Sequence, residues 1–257
     1  MRHYGVKEKM LKGGNRFFFD FSGKKGLLPQ DEAHHLIRVY RKKEGEEVIL
    51  INGKGKEFLG EILRVKEKGR KIFVEVELLQ ILREEKSPFI KCFALVPALK
   101  GDKTDFLIEK GTELGITGFI IYHSTFTIPK ITSQKILRLR EKALSALKQS
   151  GRLTLPEMEI SENLKETLQK LPHLNCLKIL ASTEGKLTLE EVIKEIKSGF
   201  RKIFLLSGPE GGLSSEEREE ALKKGFLEIS LSPHILRAET ASFALMSLFA
   251  PLIYKKI

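Results

Sequence analysis

Tryptophan is absent from these 257 residues, and cysteine occurs only as Cys92 and Cys176. Two cysteines, both in apolar stretches, give no disulfide framework and no zinc quartet. No run of about 18 apolar residues occurs, so a membrane-spanning helix is excluded. The opening residues, Met1-Arg2-His3-Tyr4-Gly5, lack the apolar core of a secretion signal, and the cytoplasm is the expected location. His34-His35 invites a metal reading, but adjacent side chains diverge and no partner stands at ligand spacing, so no metal is expected. His3, His123, His173 and His234 are isolated. Cys92 has no histidine nearby in sequence and reads as a buried strand residue rather than a nucleophile.

Acidic residues are in deficit: 34 Asp and Glu stand against 45 Lys and Arg, a net charge of +11. The imbalance is one-sided. Residues 1–86 hold 20 basic and 14 acidic residues, 87–157 hold 11 and 6, and 158–257 hold 14 of each. A surplus confined to one part of a chain points to a surface for a polyanion, RNA being the usual one. Lysine-rich solvated faces are the plainer reading. At 41% hydrophobic residues the chain has ample material for a core.

Up to about residue 83 the pattern is short strands and turns. Ile72, Val74, Val76 and Leu78 alternate with charged residues, and Val48–Ile51 and Glu57–Ile62 flank a glycine-bearing turn. One short helix is expected near Asp31–Val39. Glu84-Glu85-Lys86-Ser87-Pro88 marks a boundary. Two domains are therefore expected, at 1–84 and 88–257. Beyond the boundary, strands at 91–96, 118–122, 177–182, 202–206 and 227–231 alternate with helices, the signature of an α/β fold with a parallel sheet. Asp102 is a candidate N-cap for a helix over Gly101–Leu114, and Gly115 ends it. Thr188 with Glu191 and Ser214 with Glu217 form capping boxes, closed by Gly199 and Gly225. The helix at 133–150 is either an ordinary amphipathic element or a cationic ridge bearing Lys135, Arg138, Lys142 and Lys148. The last helix, about Glu239–Tyr254, is apolar nearly all round and needs cover on more than one side, from its own domain, from a partner subunit, or from both.

Two segments carry the chemistry. Ser207-Gly208-Pro209-Glu210-Gly211-Gly212-Leu213-Ser214 lies between an apolar strand and a helix, and Ile235-Leu236-Arg237-Ala238-Glu239-Thr240-Ala241 leads into the final helix. Ligands of open α/β sheets bind where loops leave the carboxyl ends of neighbouring strands. The first loop lacks the Gly-Lys-Ser/Thr ending of a P-loop and the G-x-G-x-x-G spacing of a dinucleotide fold. A tight turn explains its glycines; so does the approach of a ligand to bare backbone. Arg237, always charged, would sit near the crevice, or else in a surface ion pair with Glu239 or Glu210.

These residues make the chain resemble the bacterial 16S ribosomal RNA uridine-N3 methyltransferases of the SPOUT superfamily. The likeness runs nearly end to end, through Arg16-Phe17-Phe18-Phe19, His34–Arg41, Leu99–Lys103, Glu109–Gly115, Gln149–Arg152 with Pro156, Gly208–Ser214 and Ile235–Ala241. It implies a C-terminal domain with a deep trefoil knot and an N-terminal PUA-like β-barrel that helps hold RNA. It also implies a homodimer packed through knot helices including the last one. S-adenosylmethionine would sit bent in the knot, enclosed by the loops at 180–184, 206–212 and 231–237. The cofactor residues so implied are Leu180, Ser182, Leu206, Ser207, Gly208, Gly211, Gly212, Leu231, Ile235, Leu236, Arg237, Thr240 and Ala241. Arg16, His35, Arg38, Arg41, Lys100, Lys103 and Arg152 would meet RNA, namely 16S ribosomal RNA in the small subunit. Two departures stand out: Leu231-Ser232 where the family commonly has Leu-Gly, and Phe126 in Ser124-Thr125-Phe126-Thr127 where it usually places an arginine.

The chemistry implied is removal of the uridine N3 proton and attack on an activated methyl group. Arg237 would stabilise the anion spreading onto two carbonyl oxygens, and Glu210 or Glu239 would accept the proton or orient Arg237. A non-catalytic RNA-binding or ribosome-assembly protein is the alternative, as is methylation of another RNA nucleotide.

Overall fold

Alternation along Lys71–Leu78 puts Ile72, Val74 and Val76 into a core in which each is at most 2% exposed. The computed structural model describes residues 15–127, 131–188, 190–192 and 199–254. The chain forms two units, the described residues up to Lys86 together with Leu147–Leu155, and Ser87–Ala146 together with the described residues from Pro156 onward.

In the first unit, strands β1 (Arg16–Phe18), β2 (Lys25–Leu27), β3 (Glu47–Ile51), β4 (Lys56–Lys68) and β5 (Lys71–Glu84) form one sheet in the order β1-β3-β4-β5-β2. The β3–β4 hairpin turns on Asn52, whose side-chain oxygen accepts the backbone N–H of Lys54 at 2.8 Å and of Lys56 at 3.1 Å. The expected short helix is α1 (Gln30–His34), which runs on as a π-helical turn over His35–Val39. It delivers Ala33 and Leu36 to a core with Phe17, Leu50, Ile62 and Val74. Glu57 is fully buried between Arg16 at 2.6 Å and Arg83 at 3.2 Å. Removing one member of such a buried cluster costs about 3–5 kcal/mol. Leu147–Leu155, which the sequence reading leaves in the second domain, belongs to this unit. Backbone bonds of 2.9 Å from Gly55 to Leu153 and from Leu155 to Gly53 hold it, with Arg83 donating to the Gly151 carbonyl at 2.7 Å. Such a backbone seam leaves no trace in side-chain pattern.

The second unit is a six-stranded sheet of order β11-β9-β10-β6-β7-β8, parallel throughout. Its elements are β6 (Lys91–Pro97), α2 (Lys103–Glu113), β7 (Gly118–Tyr122), α3 (Ser133–Ser150, its last turn in the first unit), β8 (Glu157–Ser161) and α4 (Leu164–Lys170). Then follow β9 (Cys176–Ala181), β10 (Lys202–Ser207), α5 (Ser215–Lys223), β11 (Leu227–Ile229) and α6 (Ala238–Phe249), ending in a 3-10 turn over Ala250–Leu252. All five expected strands are present, the one at 118–122 with the expected bounds and the other four with ends shifted by one or two residues. The edge strand β8 and α4 are additional, since Glu157-Met158-Glu159-Ile160-Ser161 buries too little to announce itself. Burial of Cys92 within β6 pushes its thiol far above the ordinary range, so it is chemically inert. Asp102 does cap the start of α2 by position, but without a side-chain hydrogen bond; its carboxylate instead accepts from Arg138 at 2.6 Å. The Thr188–Glu191 box is formed, whereas most of the helix that Gly199 is expected to close falls outside the described residues.

The cationic-ridge reading of α3 is narrowed. Asp105, almost wholly buried, draws Lys135 to 2.5 Å and Arg138 to 2.6 Å, and Lys148 pairs with Glu32 at 2.7 Å. Three of the four cations expected there are structural.

Candidate functional site

Three strand ends stand level. Ala181 pairs with Ser207 on one side and with Ile229 on the other. The strands that lead to the two informative loops, β10 and β11, are thus not neighbours, correcting the sequence-based expectation: β9 lies between them. Two strand spacings set the roots of the two loops about 10 Å apart, and the segment that follows β9 leaves from between them.

Each glycine of the first loop has its own structural reason. A Cβ on Gly208 would lie 3.1 Å from the backbone nitrogen of Leu213, Gly212 has φ of +75°, and a Cβ on Gly211 would meet that of Phe126 at 3.0 Å. Gly212 donates to the Pro209 carbonyl at 2.9 Å, closing the turn. The capping box beyond is present, with Ser214 accepting from the Glu217 backbone and Glu217 from that of Ser214. The Glu217 carboxylate also accepts from the Ser124 hydroxyl at 2.8 Å and from the Thr125 backbone at 2.9 Å. One side chain therefore ties the loop after β7 to the helix that follows the glycines.

The base of the loop is fixed from beneath. The Tyr122 hydroxyl, fully buried, donates to the Ser207 carbonyl at 2.6 Å. Ser242 of α6 donates to the Ala238 carbonyl at 2.9 Å, so the 2.6 Å contact between Ser207 and Ser242 has Ser207 as donor. Burial, with the Glu217 charge, raises the Tyr122 pKa well above its usual value, which keeps it a donor at any working pH.

In the second loop Leu231, Ser232 and Leu236 are half-buried, while Ile235 is 88% exposed. Ser232 has no positive φ and takes the family's glycine position without strain; its hydroxyl accepts from the His234 backbone at 3.0 Å. Arg237 caps α6 by position, with φ of −65° and ψ of 152°, and its side chain is exposed. Of the two readings offered for it, the ion pair with Glu210 or Glu239 is not formed. Lys103 occupies both carboxylates, at 3.1 Å from Glu210 and 3.3 Å from Glu239. Among the described residues Arg237 has no counter-ion. Burial works against the charge of Glu210, yet its own backbone, Lys103 and the Lys100 backbone together hold its pKa below the ordinary value.

Leu180 and Leu206 are buried at the strand ends, and Gly211, Gly212 and Thr240 are exposed, with Ala241 half-buried. Ser182 is engaged: its hydroxyl accepts from the Glu184 backbone at 3.1 Å and hydrogen-bonds Glu228. Glu228 in turn receives two 2.6 Å bonds from Arg218 of α5, and Arg218 also reaches Glu184 at 3.1 Å. Gly185 runs against β11, where a Cβ would stand 2.2 Å from the Ile229 carbonyl carbon. Tyr122, Gly185, Glu217, Arg218 and Ser242 were not identified from sequence. Glu217 alone gave a signal there, as a helix cap.

Of the residues expected to meet RNA, Arg16, His35, Arg38, Arg41 and Arg152 lie in the first unit and Lys100 and Lys103 in the second. Arg16 is mostly buried against Glu57, and Arg38 pairs with Glu67 at 2.6 Å on the surface. His35 lies beside Phe17 and Tyr40, Arg41 is exposed at φ of +53°, and Arg152 is half-buried. Lys100 is exposed, and Lys103 is engaged as described. No cluster of metal-binding side chains occurs among the described residues, and no described helix is long and apolar enough to cross a membrane.

Comparison with known proteins gives a consistent picture. A family model described as an RNA methyltransferase domain matches residues 85–250, and one described as an RNA methyltransferase PUA domain matches residues 28–76. Ribosomal RNA small subunit methyltransferase E of Bacillus subtilis is 28% identical over 225 residues, covering 84% of this chain and 86% of that one. The structure of a ribosomal RNA small subunit methyltransferase E from Neisseria gonorrhoeae, bound to S-adenosyl methionine, superposes with a TM-score of 0.79 at 27% identity, covering 93% and 97% of the two chains. A Legionella pneumophila protein solved with the cofactor SAM gives a TM-score of 0.80 at 26% identity, covering 92% and 97%.

Proposed function

The chain belongs to the RNA methyltransferase family, and on that premise we propose that it methylates N3 of a uridine in 16S ribosomal RNA of the small subunit, using S-adenosylmethionine. The observation that carries this reading is the slot between the level ends of β9, β10 and β11, with Arg237 uncountered at its rim. The residues present fit the cofactor. Ile235, an apolar side chain left 88% uncovered at a strand-end loop, suits the face of an adenine, and the exposed backbone of Gly211 and Gly212 offers hydrogen-bonding groups without side-chain hindrance. Leu180, Leu206, Leu231 and Leu236 supply the apolar surround, and Ser182, Ser207, Gly208, Thr240 and Ala241 complete the cradle.

S-adenosylmethionine supplies an electrophilic methyl group on a sulfonium. The protein's part is to present uridine N3, whose imide proton must leave, in line with that group. As the proton departs, charge moves onto the flanking carbonyl oxygens, where the Arg237 guanidinium stabilises it. Glu210 is a weak proton acceptor, because Lys103 and backbone donors favour its ionised form. Its work is to anchor Lys103, leaving Glu239 or solvent to take the proton. Since N3 lies on the Watson–Crick edge, the base must be unpaired or extruded when it enters.

We read the C-terminal unit as a deep trefoil knot. The close passage of Gly185 against Ile229 and the sheet order β11-β9-β10 support it. The first unit is read as a PUA-like barrel that grips RNA. A homodimer is proposed through the neighbourhood of α6, where Phe106, Leu248 and Tyr254 are each at least 40% exposed. The place of action is the cytoplasm, where ribosomal subunits mature.

The test is methyl transfer to isolated small ribosomal subunits lacking the modification, followed by nucleoside analysis and by calorimetry with S-adenosylmethionine. N3-methyluridine is the expected product. A protein that binds the subunits but neither binds the methyl donor nor transfers from it is a ribosome-assembly factor instead.

A further inference from the structure

Phe126 is an anomaly of the second unit. Its side chain is 51% exposed, and among the described residues no other aromatic ring packs on it. Exposed phenylalanine is ordinary on a loose loop, but the backbone of residues 124–127 is held by several hydrogen bonds. Ser124 and Thr127 bond each other twice, the Ser124 backbone donating to the Thr127 hydroxyl at 3.0 Å and the Thr127 backbone to the Ser124 carbonyl at 2.9 Å. Glu217 fixes the same loop through Ser124 and Thr125. The root of Phe126 rests on Gly211, where any larger residue would push it away. The structure thus braces an uncovered ring against the glycine loop, one residue from Glu210 and the Lys103 clamp.

A rigid ring beside a methyl-transfer site has one chemically natural occupant. Single-stranded RNA is held by stacking its unpaired bases on aromatic faces while cations meet its phosphates. Lys100, whose backbone bonds Glu210 beside Gly211, is exposed, and Arg237 supplies a second exposed cation in the same unit. We propose that Phe126 is a stacking platform for a nucleobase of the RNA substrate, a reading that rests on the RNA-methylating function above. It replaces a charge contact, as an arginine would give, with a stack that is insensitive to salt and selective for unpaired bases.

The chain has no tryptophan, so Phe126→Trp installs a single fluorescent reporter at the platform. Added to an unmodified 16S ribosomal RNA transcript, the variant should show saturable quenching of its emission. Heparin, a polyanion without bases, should leave the emission unchanged. Phe126→Leu should bind the transcript about tenfold more weakly and show the same rise in KM, with little change in kcat or in affinity for S-adenosylmethionine. Phe126→Trp should regain the affinity that leucine loses. Equal quenching by heparin, RNA binding without quenching, or a leucine variant that binds as well as the parent would each overturn the proposal. So would emission that changes with protein concentration alone, which would make Phe126 part of an interface between copies. A parent protein that binds and quenches yet transfers no methyl group would remove the catalytic reading and leave the platform standing.

Discussion

Lys103 and Glu210 meet at 3.1 Å, and the same ammonium reaches Glu239 at 3.3 Å. The lysine therefore joins the glycine loop to the first turn of α6 and engages two carboxylates that Arg237 does not pair with. Lys103→Met should free both, leaving Glu239, two residues along the chain from Arg237, able to compete for its guanidinium. Methyl transfer is expected to fall about 10- to 100-fold while thermal stability barely changes, because the pair is partly exposed and screened. Adding Glu210→Gln to the lysine variant should restore part of the lost rate. A lysine that merely touched phosphate would instead show a shallower salt dependence of RNA binding and no rescue.

Arg237 is the residue on which the chemistry turns. It is exposed at the start of α6 and has no counter-ion among the described residues. Loss of a preorganised donor to a developing anion costs about 100- to 1,000-fold in kcat. Arg237→Ala should show that loss with S-adenosylmethionine affinity, read by calorimetry, changed only slightly. Arg237→Lys should recover little, since an ammonium lacks the planar fork that spans one face of a uracil. An alanine variant of undiminished turnover would remove Arg237 from the mechanism.

The acid limb of stability should report the tie between β11 and α5. Glu228 takes two 2.6 Å bonds from Arg218, and that hydrogen bonding, against the cost of burial and with Ser182 helping, lowers its pKa from 4.5. A carboxyl lowered by folding stabilises the native state above its unfolded pKa, and the stabilisation is lost as pH falls through the folded value. The difference in Tm between the parent and Glu228→Gln should accordingly be full at pH 6 and above. It should shrink below about pH 4.5 and vanish in stronger acid. A difference that stayed constant across this range would assign the effect of the substitution to packing.

What could be read from the residues follows from what leaves a local imprint. The strands that end near Ala181 and Ser207, each within a residue of its expected end, the capping box of Ser214 with Glu217, and the turn glycines Gly115 and Gly225 announce themselves through alternation and spacing. The position of β9 between β10 and β11 did not, because strand order is set by crossovers that periodicity does not record. Lys103 reads from the family resemblance as an RNA contact, and its pairing with Glu210 and Glu239 shows only in the fold. Likewise Arg16 lies in a run that looks RNA-facing, yet its partner Glu57 is fully buried in β4 of the same sheet. A charged residue's partner across the sheet is invisible in one dimension, so every cationic assignment made from sequence was exposed to this error.

Gly185 shows the same limit and offers the sharpest test of the passage beside β11. It carries no positive φ and sits in no glycine motif, but its Cα faces backbone: a Cβ would lie 2.2 Å from the carbonyl carbon of Ile229 and 2.5 Å from the nitrogen of Ser230. The Ser182 N–H donates to the Ile229 carbonyl at 3.0 Å, so the two segments cannot part without breaking a bond at the ends of β9 and β11. Overpacking of a filled site costs about 1–3 kcal/mol, and backbone atoms yield less readily than side chains, so Gly185→Ala should lose about 3 kcal/mol. Denaturant unfolding measures that loss directly. Because Ser182 and Ile229 border the slot, the affinity for S-adenosylmethionine should fall together with stability, whereas Gly199→Ala, strained at its φ of +129° but with nothing within 4 Å of its Cβ, should lower stability and leave that affinity intact. An alanine at 185 that bound the cofactor as well as the parent would show that the slot does not depend on this contact.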